Sequence, residues 1–277
     1  MKHAERRPVV VAVAPVGKGD PPIDGNPLNP EEVAQAVVAC TRAGASMVHL
    51  HVRDAVGQQT AEMDAFSQTL DLIRKQSDII IQGSTGGLAE LSLEERCVAV
   101  DEPRVEAASL NMGSANFKET VYINTLPDIR YWARRMCQNG VIPELEIFEA
   151  GMIPAAFRLI GEEAITPPYY FNFCLGFHHA LPADPTSLFF LKSMIPPKDP
   201  WGIVHEGMTD LSLLAVAIGM GASVARVGFE DSIYLAPGEI AATNAELVKN
   251  LVGMIRRMGC EVASPVEARQ ILNIPGR

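Results

Sequence analysis

The chain has no Cys-x-x-Cys pair, no long basic run and no apolar stretch of membrane-spanning length, and each absence closes off a class of function. Its five cysteines, Cys40, Cys97, Cys137, Cys174 and Cys260, are scattered, and the odd number suits a reducing compartment better than a disulfide framework. A formal net charge of -10, with 23 lysines and arginines that form no stripe, argues against a nucleic-acid binder. Small anionic ligands stay open through local positive charge. The first residues lead straight into a short apolar run ending near Pro15, too short for a signal or membrane segment, so a cytoplasmic protein is expected. No glycine-rich dinucleotide fingerprint follows that run either.

What is present is length and alternation. At 277 residues and 48% hydrophobic, the chain can bury a large core, and its size suits one α/β barrel, read as a single domain over residues 1–277. Eight β-branched runs read as strands: Val9 to Ala14, Met47 to Val52, Ile79 to Gln82, Val105 to Leu110, Glu144 to Phe148, Tyr169 to Leu175, Gly202 to His205 and Val224 to Phe229. Between and after them, amphipathic segments predict helices over Pro30 to Arg42, Asp64 to Lys75, Leu93 to Val100, Leu126 to Asn139, Met152 to Ile160, Pro185 to Ser193, Thr209 to Gly219 and Asn244 to Met258. Eight such units predict a closed (β/α)8 TIM barrel. An open doubly wound sheet is the alternative, without a fingerprint to support it.

In a barrel, chemistry collects at the C-terminal ends of the strands. The second strand carries His49 and His51 there, two residues apart and therefore on one face, while Val48, Leu50 and Val52 face the other way. Two imidazoles on one face are half of a metal site, or a pair of ordinary strand histidines with hydrogen-bond partners. The eighth strand ends in Arg226, Glu230 and Asp231; a carboxylate there would complete two neutral imidazoles on zinc and leave a position open, or the acids could be a solvated loop pair and Arg226 a structural partner. Ser84-Thr85-Gly86-Gly87 is either a tight turn or a place where backbone N–H groups and hydroxyls meet a carbonyl or carboxylate. Glu144 and Glu146 share a face of the fifth strand, and of His178 and His179 at most one can face the site.

The segments His49 to Asp54, Ser84 to Gly87, Ser109 to Phe117, Pro143 to Phe148 and Arg226 to Leu235, with Ala242 to Val248 and Ala263 to Arg269, resemble the β-keto acid cleavage enzyme family over essentially the whole chain. The resemblance implies a zinc-bearing barrel, an oligomer with a tetramer favoured, that exchanges a β-keto acid with acetyl-CoA to give acetoacetate and a new acyl-CoA. By motif position it implies His49, His51 and Glu230 as metal ligands and Asp231 with Arg226 as the pair that deprotonates the activated carbon. Ser84 and Ser109 would meet the substrate oxygens, with Thr85, Gly86 and Asn111 beside them, and Glu146 is the strand-five glutamate that matters.

Elementary chemistry agrees. A β-keto acid chelates one metal ion through its ketone and carboxylate, which lowers the pKa of the carbon between them. An adjacent Arg226 is expected to lower the Asp231 pKa and weaken it as a base. Two departures stand out: His205 to Asp210 replaces the family's Gly-x-Gly-Arg, and Gly17 with Lys18 stands where the prototype has a glutamate for the substrate's amino group. Lys18 therefore predicts an uncharged or anionic tail. Two other classes fit the histidine pair: a metal-dependent barrel hydrolase drawing further ligands from His178 or His179, His205 and Asp231, and a catalytically silent binding protein.

Overall fold

The computed structural model describes residues 7–17, 23–86, 91–117 and 119–275. In chain order its first strands are β1 (Pro8–Val13), β2 (Met47–Leu50), β3 (Ile80–Gly83), β4 (Ala107–Asn111) and a hairpin of β5 (Ala115–Phe117) with β6 (Thr120–Tyr122). The second half adds β7 (Ile142–Ile147), β8 (Tyr170–Leu175), β9 (Trp201–His205), β10 (Val224–Val227), the hairpin β11 (Tyr234–Ala236) with β12 (Glu239–Ile240), and β13 (Glu261–Val262). The helices are α1 (Pro30–Ala43), α2 (Asp64–Arg74), α3 (Leu126–Asn139), α4 (Met152–Gly161), α5 (Pro185–Ser193), α6 (Ser212–Gly219), α7 (Asn244–Arg257) and α8 (Pro265–Leu272).

Eight parallel strands run β1-β2-β3-β4-β7-β8-β9-β10, and β10 pairs back onto β1, which closes the barrel. The helices begin and end where local chemistry requires. Asn29 and Glu32 form a capping box at the start of α1, Pro30 occupies its first turn, and Gly44 ends it at φ 117°. Thr125 with Asp128 and Ser264 with Glu267 do the same for α3 and α8.

Several expected boundaries moved by one to three residues, and three of the shifts have a local reason. The expected helix at Leu93 to Val100 is a 3-10 helix over Glu95–Asp101, confined between the Ser92–Glu95 cap and Pro103, a span that holds little more than tight turns. The sixth helix starts at Ser212 rather than Thr209, because the Asp210 carboxylate accepts from the Ser212 backbone and holds that segment as a turn. Strand β10 stops at Val227 rather than Phe229, because Gly228 turns the chain at φ 144°. A Cβ at Gly228 would lie 2.2 Å from the Ala14 carbonyl oxygen, so only glycine lets the chain cross the end of β1 there.

Inside the barrel the lower layer is apolar: Val10, Ala12, Met47, Ile80, Ala107 and Ile142 pack with Ala268 and Leu272 of α8, which plugs the N-terminal end. The layer above it is polar and buried, built from Gln82, Ser109, Glu144, Asn172 and Arg226. The plug is tied down by Glu106, 4% exposed, which accepts from Arg74 at 3.0 Å and from Arg269 at 2.6 and 3.0 Å. Glu106→Ala removes the one buried carboxylate that Arg74 and Arg269 share, leaving Arg74 its backbone carbonyls and Arg269 the exposed Asp78, and is expected to cost about 3 kcal/mol in urea unfolding, the low end for breaking a buried pair. Asp78, whose side chain is 70% exposed against the same Arg269, should cost about 1 kcal/mol or less when changed to alanine. Equal losses for the two would contradict this reading of the plug.

Candidate metal centre

The C-terminal mouth gathers side chains from both ends of the β1–β10 seam. The regular ladder of β2 ends at Leu50, and the chain then folds over a tight turn in which the Asp54 carboxylate accepts from the backbone of Val56 and Gln58. The turn leaves His49 and His51 on the same side, ring centroids 5.2 Å apart and nearly perpendicular at 80°. From the opposite side of the seam, the Gly228 turn delivers Glu230, whose carboxylate lies 3.8 Å from His49 Nε2 and 3.6 Å from His51 Nε2.

One ligand atom from each of His49, His51 and Glu230 lies within 4.8 Å of the other two, and no other such group occurs among the described residues. A tetrahedral centre with bonds of about 2.0–2.1 Å sets its ligand atoms about 3.3 Å apart, close to the separations from Glu230. Two imidazoles and one carboxylate are a donor set for a divalent ion with a position left over for substrate. The residues fit the group.

The electrostatics keep His49 and Glu230 in ligating form. Burial pushes His49 down to about 3, so its ring is neutral. Burial alone would raise the Glu230 carboxyl, but the facing imidazoles of His51 and His49 and the Arg226 guanidinium together hold it well below the usual range. Arg226 grips Asp231 with both prongs, Nε at 2.9 Å and Nη2 at 2.6 Å, while Nη2 also reaches Glu230 at 3.5 Å. The expected weakening of Asp231 does not occur: burial outweighs Arg226 and lifts its carboxyl to about 6. Asp231 is thus poised near neutrality beside the metal position.

Glu146 sits two residues beyond Glu144 on β7, nearer the mouth, and its carboxyl accepts no hydrogen bond from any described residue. Burial, with Glu144 as the next cause, raises its carboxyl to about 8. A carboxyl that keeps its proton to about pH 8 folded, against its ordinary 4.5, loses relative stability as pH rises through that window. In metal-free protein, Glu146→Gln should therefore gain on the parent between pH 5 and pH 8, by at most about 1.4 kcal/mol per pH unit. Parallel pH profiles of urea unfolding would contradict it.

The remaining expected residues separate into those at the mouth and those facing elsewhere. Ser84 Oγ accepts from the Gly86 backbone at 3.0 Å, and Gly86 is hemmed in: a Cβ there would stand 3.1 Å from Ser84 Oγ and from Tyr122 Oη, and 3.7 Å from His51 Cε1. Thr85 instead stitches β3 to β4, donating its hydroxyl to the Ser109 carbonyl at 2.6 Å and its backbone N–H to Ser109 Oγ. Asn111 is 1% exposed and its Nδ2 has no partner among the described residues, a donor left for something in the barrel. Lys18 and Gly87 lie outside the described residues.

His178 and His179 are both exposed in the loop after β8. On β9 it is Gly202, whose missing Cβ would meet Asn172 Oδ1 at 3.1 Å, that faces the barrel interior, so His205, three residues on, faces outward. None of these histidines joins the metal group, which removes the extra imidazoles a hydrolase would recruit, and Asp231 is engaged by Arg226 instead. Sequence reasoning passed over Gln59, Tyr122, Tyr170 and Asn172, and placed Gln82 at a strand end without giving it a role. The signal for Gln82 and Asn172 was available: each is a polar residue in an apolar run whose strand register points it inward.

A family model described as beta-keto acid cleavage enzyme matches residues 8–274. The chain belongs to that family. A 3-keto-5-aminohexanoate cleavage enzyme of Fusobacterium nucleatum is 37% identical over 250 residues, 90% of this chain and 90% of that protein. A 3-oxoadipate:acetyl-CoA acetyltransferase of Cupriavidus necator is 31% identical over 97% of this chain and 96% of its own length. Among solved structures, a binary complex of ObcA with oxaloacetate superimposes with a TM-score of 0.75 at 18% identity, over 90% of this chain and 67% of that one, a likeness of fold. The cleavage family and the barrel expected from the residues are thereby both established, and the chain is an enzyme of the β-keto acid cleaving kind.

Proposed function

We propose that the protein is a zinc-dependent acyltransferase that condenses a β-keto acid with acetyl-CoA and releases acetoacetate and a new acyl-CoA. The observation that carries this reading is the convergence of His49, His51 and Glu230 beside the Arg226–Asp231 pair, in a family member with relatives named for acetyl-CoA transfer. His49, His51 and Glu230 would hold the zinc, which supplies Lewis-acid polarisation of the keto acid's oxygens.

The chain's own groups do the rest. Asp231, steadied by both prongs of Arg226, takes the proton from the carbon between the two carbonyls. That carbon attacks the acetyl carbonyl of acetyl-CoA, the CoA sulfur passes to the neighbouring ketone carbon, and the bond between that carbon and the former nucleophile breaks. The enolate released takes back the proton held by Asp231 and leaves as acetoacetate, with no protein nucleophile involved. Ser84, Ser109 and Asn111 orient substrate oxygens, with Gly86 giving them backbone room, and Glu146 donates its proton in a hydrogen bond. Thr85 acts in the substrate site by holding Ser109 in place.

The substrate tail is uncharged or anionic. Gly17 has no room for a side chain, since a Cβ there would meet Ile23 Cδ1 at 2.4 Å and the Phe229 carbonyl at 2.8 Å, so this position offers no carboxylate to an amino group; the residue that follows it in the sequence, Lys18, carries the opposite charge. We further read the chain as one catalytic domain working in the cytoplasm as a homo-oligomer, a tetramer favoured. Five free cysteines support the compartment, and Phe189 and Phe190, 68% and 50% exposed on α5, support association. No helix among the described residues is long and apolar enough to cross a membrane.

The test is turnover of zinc-loaded protein with acetyl-CoA and β-keto acids bearing neutral, acidic and cationic tails, acetoacetate and acyl-CoA being followed by mass. Acetoacetate from a neutral or acidic member, lost on chelation and restored by zinc, is the expected result. Ligand-induced stabilisation without turnover by any member would contradict it and favour a silent binding protein.

A further inference from the structure

We propose that Gln82, locked by Glu144, is a positioning residue that fixes the tautomer of His49, so that one arm of the metal centre is set before metal arrives, while His51 is set only by the metal itself. The inference rests on the metal-centre reading above.

A neutral imidazole carries one N–H, and His49 can offer Nε2 to a metal only if the proton sits on Nδ1. That proton needs an acceptor, and Gln82 Oε1 lies 2.8 Å from Nδ1. An amide can turn end for end and present its nitrogen instead, which would put the proton on the wrong ring atom. Here it cannot turn. Gln82 Nε2 donates to the Glu144 carboxylate and to Tyr170 Oη at 2.6 Å.

Both Glu144 oxygens are already taken as acceptors, because Tyr170 donates its hydroxyl to the same oxygen that Gln82 reaches and Asn172 Nδ2 donates to the other at 2.6 Å. Three donors converge on an acceptor, so a reversed Gln82 would set oxygen against oxygen. Gln82, Glu144, Tyr170 and Asn172 are each at most 2% exposed, which leaves no solvent to relieve the mismatch. Every direction in the chain from Glu144 to Gln82 to His49 is therefore forced.

His51 is held differently. Its Nδ1 faces the Gln59 amide nitrogen at 2.9 Å, an arrangement in which the ring accepts and its own proton sits on Nε2, toward Glu230. Gln59 lies on the half-buried rim and its amide makes no other hydrogen bond among the described residues. It is free to turn when metal takes Nε2 and the proton moves to Nδ1.

Long-range proton–nitrogen correlation of the histidine rings, on full-length protein dialysed against chelator and then titrated with zinc, tests this directly. Expected are Nδ1–H on His49 with and without zinc, and Nε2–H on His51 that changes to Nδ1–H as zinc is added. Nε2–H on His49 in the metal-free wild type overturns the proposal without any variant. Nδ1–H on His49 in a protein that takes up no zinc supports the fixed tautomer and overturns the metal reading instead.

Glu144→Gln, which touches neither histidine, gives the amide at Gln82 a partner that can donate. It should move His49 toward Nε2–H and weaken zinc binding about 10–100-fold in chelator competition. Tyr170→Phe keeps the carboxylate and should change affinity less than about threefold. Wild-type affinity and an Nδ1–H His49 in Glu144→Gln overturn the proposal.

Discussion

His51→Ala is expected to release the metal and lower kcat/KM by about a thousandfold or more, while barely moving the melting temperature relative to metal-free parent. The expectation has two parts. The metal's polarisation of the substrate is worth several kcal/mol of barrier, and each 1.36 kcal/mol is tenfold in rate. The fold asks little of this side chain for packing, since it is 15% exposed and bonded to the half-buried Gln59, and Glu230, which it faces at 3.6 Å, keeps Arg226 and His49 beside it when His51 is removed. Metal stoichiometry, turnover and thermal unfolding measured together separate the parts. Full zinc occupancy with full activity in His51→Ala would remove His51 from the centre.

Asp231→Asn should lower kcat by about 10²–10⁴, the usual worth of a positioned general base, with substrate affinity largely retained. Because Asn cannot balance Arg226, buried at 4% exposed, the variant should also unfold more readily, by about 3–5 kcal/mol if the guanidinium finds no other partner. Glu230 at 3.5 Å is the partner on hand, so the stability loss should be smaller in metal-free protein, where Glu230 is free to move toward Arg226. The pH profile carries a further sign. With its carboxyl raised to about 6, Asp231 is protonated and inactive below that value, and activity should rise through it. A kcat unaltered by Asp231→Asn would take the proton transfer away from this residue.

The barrel was legible because its pattern is repeated. Short β-branched runs alternate with capped amphipathic segments, and Asn29-Pro30 or Gly140 mark the ends without help from the tertiary structure. The two mouth hairpins were not legible. Their strands of three and two residues carry no period long enough to read, and they exist because the barrel rim gives them something to lie on. Helix α8 was readable and was passed over: Ser264-Pro265 with Glu267 is a capping box in plain sight.

In the site, His49 and His51 could be paired from their spacing, since strand alternation acts locally. Burial could not be read so directly. The influence of Arg226 on Asp231 was visible in sequence, but the desolvation that outweighs it depends on every element packed around the mouth. The Glu144–Gln82–His49 chain was hidden for the same reason, since its members come from three strands and meet only when the barrel closes.

The most direct measurement is to supply acetyl-CoA carrying carbon-13 in both acetyl carbons with an unlabelled β-keto acid and to locate the label. Condensation followed by cleavage places both labelled carbons at positions 3 and 4 of acetoacetate and none in the new acyl-CoA. Labelled acetate without acetoacetate, or label in the acyl group of the product thioester, would contradict the proposed reaction.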